Sequence, residues 1–494
     1  MENLHANILT TDAPPEASSM IETFRAIGYS IETAVADIID NSITANAQNI
    51  WIDYDWNGPL TILSVSDDGH GMNNEELVQA MKPGSTSPLD VRKEHDLGRF
   101  GLGLKTASFS QCRKFAVLSL KEQYQPVYWS WDLDYVNQQK SWSLIRFCPA
   151  AESYLQKLKE LEHGTAVVWW DIDRLTTNTR ADDEQAKKQF LATMEMVKRH
   201  LGMVFHRFID EGLNIFLRGR KIEAWDPFMI GAEGLQTKPV SVFENGKVKV
   251  KGFVLPHRSK LSPDQYLYGS GPGESWTNHQ GFYVYRNKRL LVAGDWLGFF
   301  KKEVHYDLCR IRIDLTNDLD EEWQIDIKKS IARPPSKLKE YILSIAKEVR
   351  AQALEVYRHK GQVIKRKLAK KEYFPFWEER TRHGKRFYKL NRNHPLIKEL
   401  KETLDTDTSR LEQLLQFIEE TVPAPLITLQ ESENEKPHGQ PFEGADHNAI
   451  KETMQKLFDG FVSSGLSIEK AKARILNTEP YNFYPEYIEF LINE

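Results

Sequence analysis

The stretch Ile31-Glu32-Thr33-Ala34-Val35-Ala36-Asp37-Ile38-Ile39-Asp40-Asn41 decides how the first part of this chain is read. Ile31, Ala34, Val35, Ile38 and Ile39 fall at the i, i+3, i+4, i+7, i+8 spacing of one buried helical face. Ser30, just ahead of them, suits an N-cap. The same helix carries Asp37 and Asn41 four residues apart, side by side on one face. A carboxylate there can orient and deprotonate a water. A carboxamide beside it can offer a neutral oxygen to a hard cation such as Mg²⁺. The pair equally fits a solvated polar helix face.

Three further elements follow in order. Asp67-Asp68-Gly69-His70-Gly71-Met72 comes directly after the strand-like run Leu60–Ser66. A carboxylate at a strand end, followed by two glycines, can meet a ligand edge where the backbone approaches closely. Asp67 is an acceptor suited to an exocyclic amine such as that of adenine. An ordinary Asp-Gly turn is the plainer alternative. Gly98-Arg99-Phe100-Gly101-Leu102-Gly103-Leu104-Lys105-Thr106 puts three glycines ahead of a helix, where backbone N–H groups can face an anion and Lys105 adds a charge. Its GxxGxG spacing is neither the dinucleotide GxGxxG nor the P-loop GxxxxGK[ST]. A flexible surface turn would carry the same glycines. Gly164-Thr165 opens an apolar strand, where the Thr165 hydroxyl can share an adenine with Asp67 through a water.

Taken together and in order, these four elements resemble the N, G1, G2 and G3 boxes of the GHKL ATPases, the gyrase, heat-shock chaperone, histidine kinase and MutL group. The segments IIDNSITA, SDDGHGM and GRFGLGLKTAS look most similar to the MORC-type ATPases and their bacterial relatives. The resemblance covers about residues 20–175. It implies ATP and Mg²⁺ as cofactors. Position by position it makes Asp37 the general base, Asn41 the Mg²⁺ ligand and Asp67 the adenine acceptor. Gly69, Gly71 and Met72 would line the adenine pocket, with Thr165 beside it. Gly98, Gly101, Gly103, Lys105 and Thr106 would hold the phosphates, and Asn73–Leu97 would be a mobile lid. The family's base is usually Glu. Asp is one methylene shorter, setting the carboxylate about 1 Å back, and misplacement on that scale can cost of order 10²-fold.

The expected fold is α+β. A Bergerat-type α/β sandwich over 1–180 would have a mostly antiparallel sheet with helices on one face, its strand-like runs including Phe115–Leu120, Val127–Leu133, Trp142–Phe147 and Thr165–Ile172. A smaller transducer-like α/β domain is expected over 181–345, with a helix near Glu184–Phe208 and strands at Asn214–Arg218, Val248–Leu255, Gly281–Arg286 and Ile311–Leu315. In it, Trp323-Gln324-Ile325-Asp326-Ile327-Lys328-Lys329-Ser330 resembles the family's transducer loop, which returns a cation to the γ-phosphate. Lys329 is the better match and Lys328 the runner-up. A cation that meets ATP but not ADP makes a domain movement depend on the γ-phosphate.

The third region, 346–494, is expected to be basic and mostly helical, with a Pro/Glu/Ser-rich linker near 421–444 and a last helix over about Ala449–Ile475. Residues 356–395 hold thirteen Lys/Arg against three Glu, interleaved with aromatics such as Phe374, Phe376, Trp377 and Tyr388. Such a patch can contact phosphates without reading sequence. A solvated basic helix and hairpin is the alternative. The chain as a whole carries a net charge of −5, so any nucleic-acid case is local. Cys112, Cys148 and Cys309 are too few and too scattered for a disulfide framework or a zinc cluster. With no apolar run of membrane length and no secretory pattern, a cytoplasmic protein is expected.

The resemblance implies an ATP-gated clamp: a homodimer closing through its ATP domains, on DNA as in MORC- and MutL-like systems, with partner proteins. DNA restriction or anti-phage defence is a setting implied for bacterial relatives. Two other readings remain at this point, a chaperone-like ATPase with a protein client and a non-hydrolysing ATP-dependent scaffold.

Overall fold

A computed structural model describes residues 16–84 except 27, 103–326 except 178, 329, 331–358, 374–403 except 383–384, 408–422, and 447–491 except 482–483. It divides into two compact units, residues 1–302 with 307–351, and residues 303–306 with 352–494.

The first unit begins with helices α1 (Ala17–Ala26) and α2 (Ile31–Thr44). Ser30 caps α2, its side chain accepting from the Thr33 N–H. Strands β1 (Asn49–Asp55) and β2 (Ile62–Asp67) follow, then helices α3 (Asn74–Met81) and α4 (Gly103–Gln111). Strands β3 (Lys114–Leu120) and β4 (Val127–Asp132), helices α5 (Leu133–Gln139) and α6 (Ala151–Leu161), strand β5 (Gly164–Trp170) and the short helix α7 (Asp173–Thr176) come next. After helices α8 (Glu184–Val204) and α9 (His206–Asp210), strands β6 (Asn214–Leu217) and β7 (Arg220–Lys221) complete a seven-stranded sheet of order β4-β3-β5-β2-β1-β6-β7. Every pairing is antiparallel except β1 with β6.

Alternation along the strands explains the layers. Ile50, Ile52, Leu63, Val65, Phe115, Val117, Val167, Trp169, Ile215 and Leu217 face one large core, which α1, α2, α4 and α8 cover. The helices were expected on one face only. The structure differs, because the opposite face of β3 and β5 is also apolar. Ala116, Leu118, Leu120, Ala166, Val168 and Trp170 lie there, and α6 covers them with Tyr154, Leu155 and Leu158.

A second sheet continues the same unit. It comprises β8 (Gln236–Thr237), β9 (Ser241–Phe243), β10 (Val248–Val254), β11 (Gly281–Arg286), β12 (Arg289–Asp295) and β13 (Cys309–Leu315), in the order β12-β11-β13-β10-β8 with β9 also on β10. Helix α10 (Pro263–Ser270) precedes β11, and helix α11 (Ser336–Arg358) begins right after Pro334-Pro335.

Three expectations change. Trp142–Phe147 is not a strand: only Ile145 bridges to Ser130, at the outer edge of β4. The segment Arg289–Asp295, where no strand was expected, is the strand β12, whose positive-φ Gly294 accompanies an irregular register with β11. The front of the expected lid is helix α3, with an Asn73/Glu76 capping box and with Leu77 and Met81 fully buried in the core. Residues 85–97 lie outside the described residues.

The second unit holds a hairpin of β14 (Trp377–Arg382) and β15 (Lys385–Leu390), then helices α12 (Pro395–Thr403), α13 (Thr408–Glu420), α14 (His447–Ser463) and α15 (Ile468–Leu476). The last helical stretch, expected as one piece, is two helices. A Schellman motif ends α14: Leu466 N–H bonds Phe461 C=O, Gly465 N–H bonds Val462 C=O, and Gly465 takes φ +91°. The expected linker falls almost wholly outside the described residues, as do 359–373 of the basic region. Among the described residues no helix is long and apolar enough to cross a membrane. The three cysteines are buried free thiols.

Candidate nucleotide site

Asp67 ends β2, opposite Thr165 at the start of β5. Its carboxylate is almost fully buried. One oxygen accepts from Gly69 N–H at 2.9 Å and Thr165 N–H at 3.2 Å, and the other from Ser42 Oγ at 2.7 Å. Burial pushes its pKa up, and these three donors pull it back only in part. A carboxylate has about four acceptor sites, so these bonds leave room for one more donor. Gly71 sits at φ +63°, where a Cβ would come within 1.9 Å of the Leu120 carbonyl oxygen, so only glycine fits. Ser119 Oγ ties the three strand ends together. It accepts from Met72 N–H at 2.8 Å, donates to Gly164 C=O at 3.0 Å and lies 3.0 Å from Thr165 Oγ1. Met72 itself is half-buried.

Asp37 and Asn41 do share one face of α2. Asn41 is exposed, and its amide nitrogen donates to the Asp37 carbonyl at 3.0 Å, leaving its oxygen as an acceptor. The Asp37 carboxylate is buried. Tyr29 O–H donates to Oδ2 at 3.0 Å, and Lys329 Nζ lies 3.2 Å from Oδ1. Lys329 also reaches Asp40 Oδ2 at 2.5 Å, and Arg289 Nε lies 3.2 Å from Asp40 Oδ1. Burial raises the Asp37 carboxyl above the usual range, against the pull of Lys329. Asp40 is equally buried, but Arg289 and Lys329 together outweigh that and hold its carboxyl low. Asp40 is therefore the firmly ionised member of the pair.

Lys329 is pinned locally. Asp326 accepts from Lys329 N–H through its carbonyl and from Ile331 N–H through its side chain, while Trp323 and Ile325 anchor the approach in the core. Lys329 takes a left-handed φ of +54°, a conformation costing a non-glycine residue about 1–2 kcal/mol. Lys328 lies outside the described residues.

Gly103 opens α4. A Cβ there would meet Asp37 Oδ2 at 3.7 Å, so the glycine-loop helix starts beside the carboxylate of α2. Thr106 is fully buried, its hydroxyl 3.3 Å from Gly103 C=O. Lys105 is buried as well. Its ammonium donates to the Ala80 carbonyl at 2.9 Å, and burial pulls its pKa down to about 8. Gly98 and Gly101 lie outside the described residues. The structure thus brings Asp37, Asn41 and Gly103 together, and separately Asp67, Gly69, Gly71, Met72 and Thr165. The sequence reading assigned no role to Tyr29, Asp40, Ser42, Ser119 or Arg289. Asp40 and Ser42 flank Asn41 in the same motif and were the two within reach of it.

Residues 29–165 match the family model described as histidine kinase-, DNA gyrase B- and HSP90-like ATPase. The DNA mismatch repair protein MutL of Methanothrix thermoacetophila is 26% identical over 48% of this chain and 40% of its own length. The ATPase morc-1 of Caenorhabditis elegans is 32% identical over 18% of this chain and 10% of its own length. The ATPase and transducer domains of DNA topoisomerase II from Balamuthia mandrillaris align at 13% identity and a TM-score of 0.35, over 65% of this chain and 85% of that one. The chain spans less than half the length of the curated relatives it matches. The domain that these motifs build, over residues 29–165, matches the GHKL ATPase family.

Proposed function

We propose that this protein binds ATP with Mg²⁺, hydrolyses it slowly, and works as an ATP-gated dimeric clamp on DNA. The observation that carries the reading is the reach of Lys329, from beyond the second sheet, to the carboxylates of Asp37 and Asp40 on α2. A cation so placed links the state of the nucleotide site to the part of the chain that follows it.

The residues fit the two cofactors. Asp67 has an acceptor site left for an adenine amine, and Thr165 and Ser119 sit beside it. Lys105 is a buried cation whose desolvation an anionic phosphate would relieve. Asn41 offers an oxygen to Mg²⁺, an ion that typically takes few protein ligands and completes its shell with phosphate and water. Bound, the nucleotide supplies the scissile phosphoanhydride. Asp37 would accept the proton of the attacking water, and Lys329 would leave Asp37 and Asp40 for the phosphate charge. Clamping of DNA rests on the DNA mismatch repair proteins among the relatives and on the basic residues of 356–395. The register of the β14–β15 hairpin sets Arg382 opposite Lys385 and Thr381 opposite Arg386 at its turn end. The resemblance extends the proposal to DNA restriction or anti-phage defence.

The test is ATP turnover by the wild type and Asp37→Ala, with light scattering in a non-hydrolysable ATP analogue against ADP, and duplex DNA binding across a salt series. Turnover that Asp37→Ala abolishes, a larger species with the analogue and salt-dependent binding are expected. The buried, ion-paired state of Asp37 favours one second reading, a non-hydrolysing ATP-dependent scaffold. Intact nucleotide binding without wild-type turnover would select it.

A further inference from the structure

A short carboxylate can serve as a base only if something fixes where it points. The charged groups acting on Asp37 are Lys329, Asp40 on α2 and Arg289 on β12, and Asp326 acts on Tyr29. Lys329 takes Oδ1. The other oxygen, Oδ2, is the one nearest the start of α4 at Gly103, and the Tyr29 phenol donates to it at 3.0 Å. Tyr29 is buried and held by α4 at two points. Gln111 Nε2 donates to its carbonyl at 2.9 Å, and the Thr106 side chain bonds its phenol. A chain of contacts therefore runs from the glycine-loop helix through Tyr29 to the side of Asp37 that faces that helix.

We infer that Tyr29 is a positioning residue for the hydrolysis proposed above: its phenol fixes Asp37 Oδ2 relative to the N-terminus of α4, making up for the shorter side chain. The inference rests on that hydrolytic reading. Tyr29 donates its proton to the carboxylate and does not transfer it, so no bond changes at Tyr29 during turnover.

The experiment compares the wild type, Tyr29→Phe, Asp37→Asn and the double variant, in the full chain with Mg-ATP. Turnover is expressed per nucleotide-binding site, so unfolded protein does not enter. Tyr29→Phe is expected to lower kcat about 10- to 100-fold and leave nucleotide affinity unchanged. In the Asp37→Asn background, Tyr29→Phe should change the residual rate by less than about twofold, because its partner is gone. Wild-type turnover indifferent to Tyr29→Phe, or the same loss in both backgrounds, overturns the inference while the hydrolytic reading stands. Absence of wild-type turnover overturns both.

Discussion

Arg289 Nε lies 3.2 Å from Asp40 Oδ1, joining residues 249 positions apart with both side chains almost completely buried. Arg289→Leu leaves Asp40 buried with Lys329 alone. Breaking a buried pair by removing one partner costs about 3–5 kcal/mol, so urea unfolding should report a loss of that order. The Asp40 carboxyl is held below its usual range. Its contribution is therefore fully present above about pH 4, the unfolded value, and is lost as pH falls through the depressed folded value. In Arg289→Leu the folded value rises toward the unfolded one, so the contribution should be smaller and its loss should be complete at a higher pH.

Lys329→Met keeps length and removes charge. If Lys329 meets the phosphate during turnover, kcat should fall about 10²-fold or more, as when one preorganised transition-state donor is removed. Nucleotide affinity should change far less. Phosphate release against fluorescent-nucleotide titration separates the two, and equal losses in both would contradict the assignment.

Lys105 predicts a pH dependence of binding. Without nucleotide its pKa is about 8, lowered by burial, and a neighbouring phosphate would raise it. Between those two values binding takes up a proton. Affinity should therefore weaken as pH rises above about 8, and Lys105→Met should flatten the dependence. Calorimetry in buffers of different ionisation enthalpy would reveal the proton uptake.

Asp67→Asn replaces one acceptor oxygen with a donor. Hydrogen bonds to charged groups are worth about 1.5–3 kcal/mol, so adenine-nucleotide affinity should drop roughly 10- to 100-fold. A guanine nucleotide should not lose affinity in parallel, because it lacks the exocyclic amine in question. Parallel losses would point to collapse of the Ser42, Gly69 and Thr165 contacts instead.

The helix α2 was legible because a 3.6-residue apolar period and a capping serine are local signals. Asp67, the glycines after it and Thr165 were legible as a motif, and the Lys329 turn through its apolar-polar pattern before a basic pair. Tyr29 was not, since one aromatic residue ahead of a cap looks like any core contact. Arg289 was hidden because its partner lies in a different sheet's neighbourhood, far along the chain. Trp142–Phe147 alternates like a strand, yet only one bridge on the outer edge of β4 was open to it. Alternation reports a half-buried surface, not a hydrogen-bond partner.

The parallel pairing of β1 with β6 bears on how the chain can be cut. A fragment stopping near residue 180 would hold all four nucleotide motifs and lack only Lys329 among the candidate site residues. It would also strip β6 and β7 and bare the backbone of Asn49–Ile52 along an unprotected edge. Bare edges recruit other chains. The smallest autonomous fragment should therefore run past Lys221, and shorter ones should be recovered as aggregates even though their nucleotide motifs are complete.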